Sequence, residues 1–171
     1  FTALFAGNIG AAQGIEVLLD AAQVLLGNTG VRIVIVGSGS RWQWMYDEVA
    51  RRGLTNVELA GQRPLAEMPE FFSHADALVI TLANEPILRL TVPSKLQAYL
   101  AAGRPIVASS AGESARLVTE AGAGIVVAPG DGVALASAIA RLAAMPIAER
   151  MRYGVAGKSY YRRHFTMERV L

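Results

Sequence analysis

Lys95 stands just inside the start of a predicted helix, in the run Val92-Pro93-Ser94-Lys95-Leu96-Gln97-Ala98-Tyr99-Leu100-Ala101-Ala102-Gly103. Proline suits a first helical turn and glycine a C-terminal stop, so a helix over residues 93–102 is expected. The first turn of a helix leaves backbone N–H groups without intrahelical partners, and its dipole favours negative charge. A serine hydroxyl and a lysine ammonium at that end make Pro93, Ser94 and Lys95 a candidate phosphate site. The loop before it, residues 83–95, is long for a compact domain, and such loops tend to carry function. A solvated lysine on a surface loop is the plainer reading of the same residues.

Two glycine-bearing turns compete for an anion. Gly7-Asn8-Ile9-Gly10-Ala11-Ala12-Gln13-Gly14 follows an apolar run and opens a helix. Glycines there let a diphosphate approach the backbone. The spacing fits neither a dinucleotide fingerprint nor a P-loop, so a purely structural turn explains it equally. Gly37-Ser38-Gly39 begins like G-x-G-x-x-G, but Trp42 holds the place of the third glycine. The acid some twenty positions on, Glu58, begins a strand instead of ending one. A dinucleotide-binding Rossmann-like domain remains an alternative on this motif. Glu113, in Ser110-Ala111-Gly112-Glu113-Ser114, begins another predicted helix, where it either complements the dipole or accepts a ligand hydroxyl.

Other chemistries find no support. His74 and His164 are far apart and lack partners at metal-ligand spacing. Asp47/Glu48 and Glu67/Glu70 read as solvated helix faces. No Ser-His-Asp constellation appears, and without cysteine there are no disulfides or cysteine-based metal sites.

The elements that must position these residues alternate along the chain. Apolar strand candidates are residues 3–6, 32–36, 57–60, 77–82, 106–109 and 124–128. Most are continuous apolar runs, as expected where both faces of a parallel sheet are covered. Helices are expected over residues 14–26, 41–52, 65–74, 93–102 and 113–121, with two consecutive helices, 133–144 and 147–165, closing the chain. Gly53, Gly103 and Gly122 suit helix C-terminal stops. The fold class is therefore α/β, a Rossmann-like doubly wound parallel six-stranded sheet with C-terminal helices. In such folds ligands bind beyond the carboxyl ends of the strands, which directs attention to loops 7–14, 37–41, 61–66, 83–95 and 109–114.

Residues 1–171 read as one domain. Hydrophobic residues make up 53% and charged ones 18%, which excludes a disordered chain. No apolar run approaches the length of a membrane span. A net charge of +2 is too mild to argue for nucleic acid. The chain opens on Phe1-Thr2-Ala3-Leu4-Phe5-Ala6-Gly7, a core strand without a lead-in or initiator Met, so a fragment of a longer protein is expected. The tail carries Arg150, Arg152, Lys158, Arg162, Arg163, His164 and Arg169 among Tyr153, Tyr160 and Tyr161. A basic helix with tyrosines suits anionic headgroups, another domain, or simply water.

Taken in order, the loops resemble the C-terminal, nucleotide-sugar-binding half of GT-B glycosyltransferases of family 4 (group 1). The marks are Phe5-Ala6-Gly7-Asn8 with Gln13-Gly14; Ile33-Val34-Ile35-Val36-Gly37-Ser38-Gly39; and Asn56-Val57-Glu58-Leu59-Ala60-Gly61. Ala75-Asp76-Ala77-Leu78-Val79 follows, then Pro93-Ser94-Lys95 with Tyr99 through Ser109, and Gly122-Ala123-Gly124 with Pro129-Gly130-Asp131. Gly7-Asn8-Ile9-Gly10 and Val92-Pro93-Ser94-Lys95 look most like the subgroup transferring N-acetylated amino sugars from UDP donors in bacterial surface polysaccharide synthesis.

The resemblance implies a retaining transferase that moves a sugar from a UDP-sugar to an acceptor, without metal or cofactor. Gly7, Asn8, Gly10 and Gln13 would flank the diphosphate opposite Val92, Pro93, Ser94 and Lys95, and backbone at Gln62 and Arg63 would meet the uracil. Implied partners are the nucleotide-sugar and an N-terminal acceptor domain absent from this chain. A membrane surface is a candidate partner through the C-terminal helix, and the location expected is cytoplasmic, with peripheral contact at the inner face. Nucleic acid is not expected. Four positions depart from the family pattern. Asn8 and Gln13 stand where many members carry Arg and Lys, and Leu90 and Ala98 stand where the usual E-x7-E carboxylates align. Lys95 is left as the main cation and the candidate catalytic residue, with Glu113 a substitute ribose acceptor. A non-catalytic relic of the fold is the alternative that these departures raise.

Overall fold

The computed structural model describes residues 1–165. Six parallel strands form one sheet: β1 (Thr2–Ala6), β2 (Arg32–Val36), β3 (Val57–Gly61), β4 (Ala77–Thr81), β5 (Ile106–Ser109) and β6 (Gly124–Val127). Their order is β3-β2-β1-β4-β5-β6. All residues of β4 and β5 are buried, the apolar runs Ala77–Ile80 and Ile106–Ala108 together with Thr81 and Ser109 at their carboxyl ends. The edge strand β3 is half-exposed, and its Glu58 pairs across the surface with Arg32 at 3.0 Å.

Among the described residues, seven α-helices flank the sheet: α1 (Glu16–Val24), α2 (Trp42–Arg52), α3 (Met68–His74), α4 (Ser94–Ala102), α5 (Glu113–Ala121), α6 (Gly132–Ala144) and α7 (Ile147–His164). Alternate strand residues point to opposite faces, so two cores form. Phe5, Ile33, Ile35, Val79 and Val107 pack with Leu18, Leu19, Met45, Leu135 and Ile139 on one side. Leu4, Val34, Leu78, Ile80 and Ile106 pack with Leu96, Tyr99, Leu100 and Val118 on the other.

Gly53, Gly103 and Gly122 end α2, α4 and α5 in left-handed geometry, where only glycine is at ease. Several helix starts differ from the sequence expectation. The helix expected from residue 65 begins at Met68, after a 3-10 turn over Leu65–Glu67. Helices α2 and α6 start one residue away from the expected 41 and 133. The helix expected from residue 14 begins at Glu16, because a 3-10 turn, Ala11–Gln13, precedes it and Gly14 turns left-handed (φ 55°). Pro93 is not inside α4 but caps it in extended geometry (φ −61°, ψ 140°). The long loop before α4 holds its own 3-10 segment, Pro86–Leu90.

The direction of winding reverses between β1 and β4, the point at which doubly wound sheets open a crevice. In the basic tail, Arg169 lies outside the described residues. Tyr160 is buried with its hydroxyl 3.0 Å from Glu120 Oε2, and Tyr153 and Tyr161 pack half-buried against the two cores. The tyrosines therefore face inward, away from any headgroup layer.

Candidate functional site

A cleft of about 680 Å3 opens at the carboxyl ends of β1 and β2. One wall is backbone: Gly7 and Asn8 after β1, Gly37 and Ser38 after β2. Gln62, Arg63, Pro64 and Leu65 after β3 form the rim, and Met68 and Phe72 of α3 form an apolar wall. Ser94, Lys95, Ala98 and Tyr99 come from the first turns of α4.

The glycines of the backbone wall have a packing explanation. Gly7 N–H donates to Val36 O (2.9 Å), Ile9 N–H to Ser38 O (3.0 Å) and Arg41 N–H to Ile9 O (2.9 Å). Gly37 N–H donates to Gly61 O at 2.9 Å. A Cβ on Gly37 would overlap the Gly7 carbonyl, and one on Gly39 would overlap the Ile9 carbonyl. The Gly-x-Gly spacing thus serves the docking of two loops against each other, and needs no dinucleotide to account for it.

Tyr99 fixes α4 to the sheet. Its buried hydroxyl accepts the Ala6 N–H (2.9 Å) and donates to the Val79 carbonyl (3.1 Å), tying α4 to β1 and β4. Burial pushes the phenol well above its ordinary value. Phe72 meets its ring edge-on at 5.8 Å.

Lys95 is held in an unusual way. Its Nζ is buried without a hydrogen-bond partner and sits 4.2 Å from the centroid of the Phe5 ring. A Cβ placed on Gly7 would lie 2.7 Å from that nitrogen, so the amine rests against the backbone wall. Burial lowers its pKa from 10.5 to about 8. The chain holds sixteen Lys and Arg residues but only two lysines, Lys95 and Lys158. A desolvated ammonium beside this cleft, at a helix N-terminus, is suited to receive an anion, which would supply the charge it lacks.

The structure brings Gly7, Asn8, Gln62, Arg63, Ser94 and Lys95 to the cleft. Gly10, Gln13, Val92, Pro93 and Glu113 are not among the residues that line it. Gln13 Oε1 accepts the Gly10 N–H at 3.2 Å and so braces its own loop. Glu113 is held by Arg116 at 2.9 Å, which keeps its carboxyl below the usual range. Gly112 packs on the Arg89 carbonyl, setting α5 against the loop that precedes α4. Sequence reasoning missed Met68, Phe72 and Tyr99 as lining residues, whereas Ser38 and Leu65 lie in loops it had singled out. Tyr99 carried a signal, since it falls on the same apolar face as Leu96. The described residues contain no group of three or more His, Asp or Glu that would hold a metal ion.

A family model described as "Glycosyl transferases group 1" matches residues 1–145. "Probable glycosyltransferase WbjE" of Pseudomonas aeruginosa is 35% identical over 141 residues, covering 79% of this chain and 34% of that protein. The chain thus spans about a third of that relative's length. Among solved structures, Anabaena Alr3699/HepE in complex with UDP and glucose superposes with a TM-score of 0.83 at 20% identity, over 99% of this chain and 45% of that one. The C-terminal domain of the group 1 glycosyltransferase LpcC of Francisella tularensis superposes at 0.77 with 17% identity, over 98% and 87%. A mutant of S. aureus TarM, in complex with fondaparinux, alpha-GlcNAc-glycerol and UDP, superposes at 0.81 with 16% identity, over 99% and 33%. These likenesses carry the fold.

Proposed function

This chain belongs to the group 1 glycosyltransferase family, and on that premise we propose that it is the donor-binding half of a retaining enzyme. The donor is a UDP-sugar, of the N-acetylated amino sugar class, and the product enters a cell-surface polysaccharide. The acceptor half lies elsewhere in a longer protein. The observation that carries the reading is the buried, unpartnered Lys95 Nζ in the cleft at the start of α4. HepE and TarM, whose structures contain UDP, share this fold and make a uridine nucleotide the reasonable occupant.

The chemistry follows from charge. Breaking the bond from sugar to diphosphate leaves negative charge on the departing UDP. Fixed positive charge aimed at that oxygen lowers the barrier. Lys95 and the free N–H groups of α4 supply it in this reading, and no metal is invoked. Asn8, across the cleft, offers only a neutral side chain, so in this reading the charge at the start of α4 falls to Lys95. In the full-length enzyme, Lys95→Ala lowers kcat/KM by about 100- to 1000-fold, the usual cost of removing one transition-state charge contact. Unaltered turnover in that variant would exclude the role.

A further inference from the structure

α7 packs at the amino-terminal ends of β5 and β6, the end of the strands away from the cleft. A Cβ on its Gly154 would overlap the Gly103 carbonyl, just before β5, and Gly157 lies against Ala123, just before β6. Glycines thus face the sheet, and the opposite side of the helix is open. That side is not uniformly polar. Ile147, Met151 and Val155 recur every four residues and are 68%, 37% and 67% exposed, forming an aliphatic stripe that runs from the flank of Gly154 round to the open side. Arg152, Lys158, Arg162 and Arg163 are exposed on the same helix. Arg150 is turned inward, 3.7 Å from Asp76. Within Ile147–His164 there are five Lys and Arg residues and one acid, Glu149, a net +4 in a chain whose total is +2. One helix therefore carries more than the whole chain's net positive charge.

We propose that this outward face of α7 docks on an anionic phospholipid bilayer. Charge complementarity alone would admit a nucleic acid or an acidic protein. Aliphatic side chains beside the cations favour a surface that offers both anionic headgroups and hydrocarbon. The side chain of Lys158 runs along Gly103, its Cδ 3.3 Å from the Cβ position there, while the residue remains exposed. The helix lies in the plane of the interface; among the described residues no single helix is long and apolar enough to cross a membrane. Docking at this end of the strands leaves the cleft open to water at the other.

The test is flotation of this chain with phosphatidylcholine vesicles and with vesicles containing about 30% phosphatidylglycerol. The proposal expects binding to the anionic vesicles only, at least about tenfold weaker in roughly 500 mM salt than in roughly 50 mM. The variant Ile147→Ser/Met151→Ser/Val155→Ser, altered only at exposed positions, loses at least about tenfold while its thermal unfolding matches the wild type. Arg152→Glu/Lys158→Glu loses more. Inorganic phosphate at about 20 mM leaves vesicle binding intact if the surface recognises a bilayer, and displaces it if the cations form a discrete phosphate site. The proposal is overturned by that displacement, by no preference for anionic vesicles, or by wild-type binding in the aliphatic variant. It is also overturned if duplex DNA binds more tightly than the vesicles and the aliphatic variant retains that binding.

Discussion

An ammonium tucked over a phenyl ring, with no carboxylate beside it, weakens the fold that holds it. The attraction of Lys95 to Phe5 offsets part of the desolvation but not all, since its pKa falls to about 8. The unfolded chain holds that proton up to about 10.5, so below pH 8 the penalty is present in full. As pH rises from 8 to 10.5 the folded amine is neutral while the unfolded one stays charged, and the penalty fades. Lys95→Met should therefore stabilise the chain by about 1–2 kcal/mol at pH 7, with a gain that shrinks toward pH 10.5; urea titrations across that range measure it. A gain that grows with pH would contradict the assignment. The same titration shapes ligand binding. An anion restores the charged form, so binding above pH 8 takes up a proton and weakens as pH rises further. Calorimetry in buffers of different ionisation heat reads that uptake, which Lys95→Ala should abolish.

Loops and helix ends show what a sequence discloses and what it withholds. The strands were legible because continuous apolar runs have few other uses at this spacing, and Gly53, Gly103 and Gly122 marked helix ends through a local backbone demand. Gly37 and Gly39 were not legible in the same way. Their reason is the backbone of residues 7–9, far away in sequence, so their pattern imitated a dinucleotide motif. Two substitutions separate local from tertiary demand. Gly53→Ala meets open space and costs only the left-handed backbone, about 1–2 kcal/mol. Gly37→Ala drives a methyl into the Gly7 carbonyl and should cost more than about 3 kcal/mol or prevent folding. Denaturant midpoints that match for the two would remove the loop-docking account. Tyr99→Phe leaves the Ala6 N–H and Val79 carbonyl short of a buried partner, at about 1–3 kcal/mol, and loosens α4 under the cleft. The burial of Lys95 was equally hidden, because nothing local distinguishes it from a solvated lysine at a helix start.

At the scale of the molecule, the cleft lies at the carboxyl ends of β1 and β2, and α7 packs at the amino-terminal ends of β5 and β6 with its basic, aliphatic face outward. The chain covers 34% of WbjE and 45% of HepE, so the reading assigns it one side of an active site. A half-site of this kind should bind its nucleotide weakly, with Kd about 0.1–1 mM. The most direct measurement is a calorimetric titration of this chain with UDP, GDP and NADH, repeated on Lys95→Ala. The account predicts saturable UDP binding in that range, weaker or absent binding of GDP and NADH, and at least about a tenfold loss of UDP affinity in the variant. UDP binding that is indifferent to Lys95, or a preference for NADH, would contradict it.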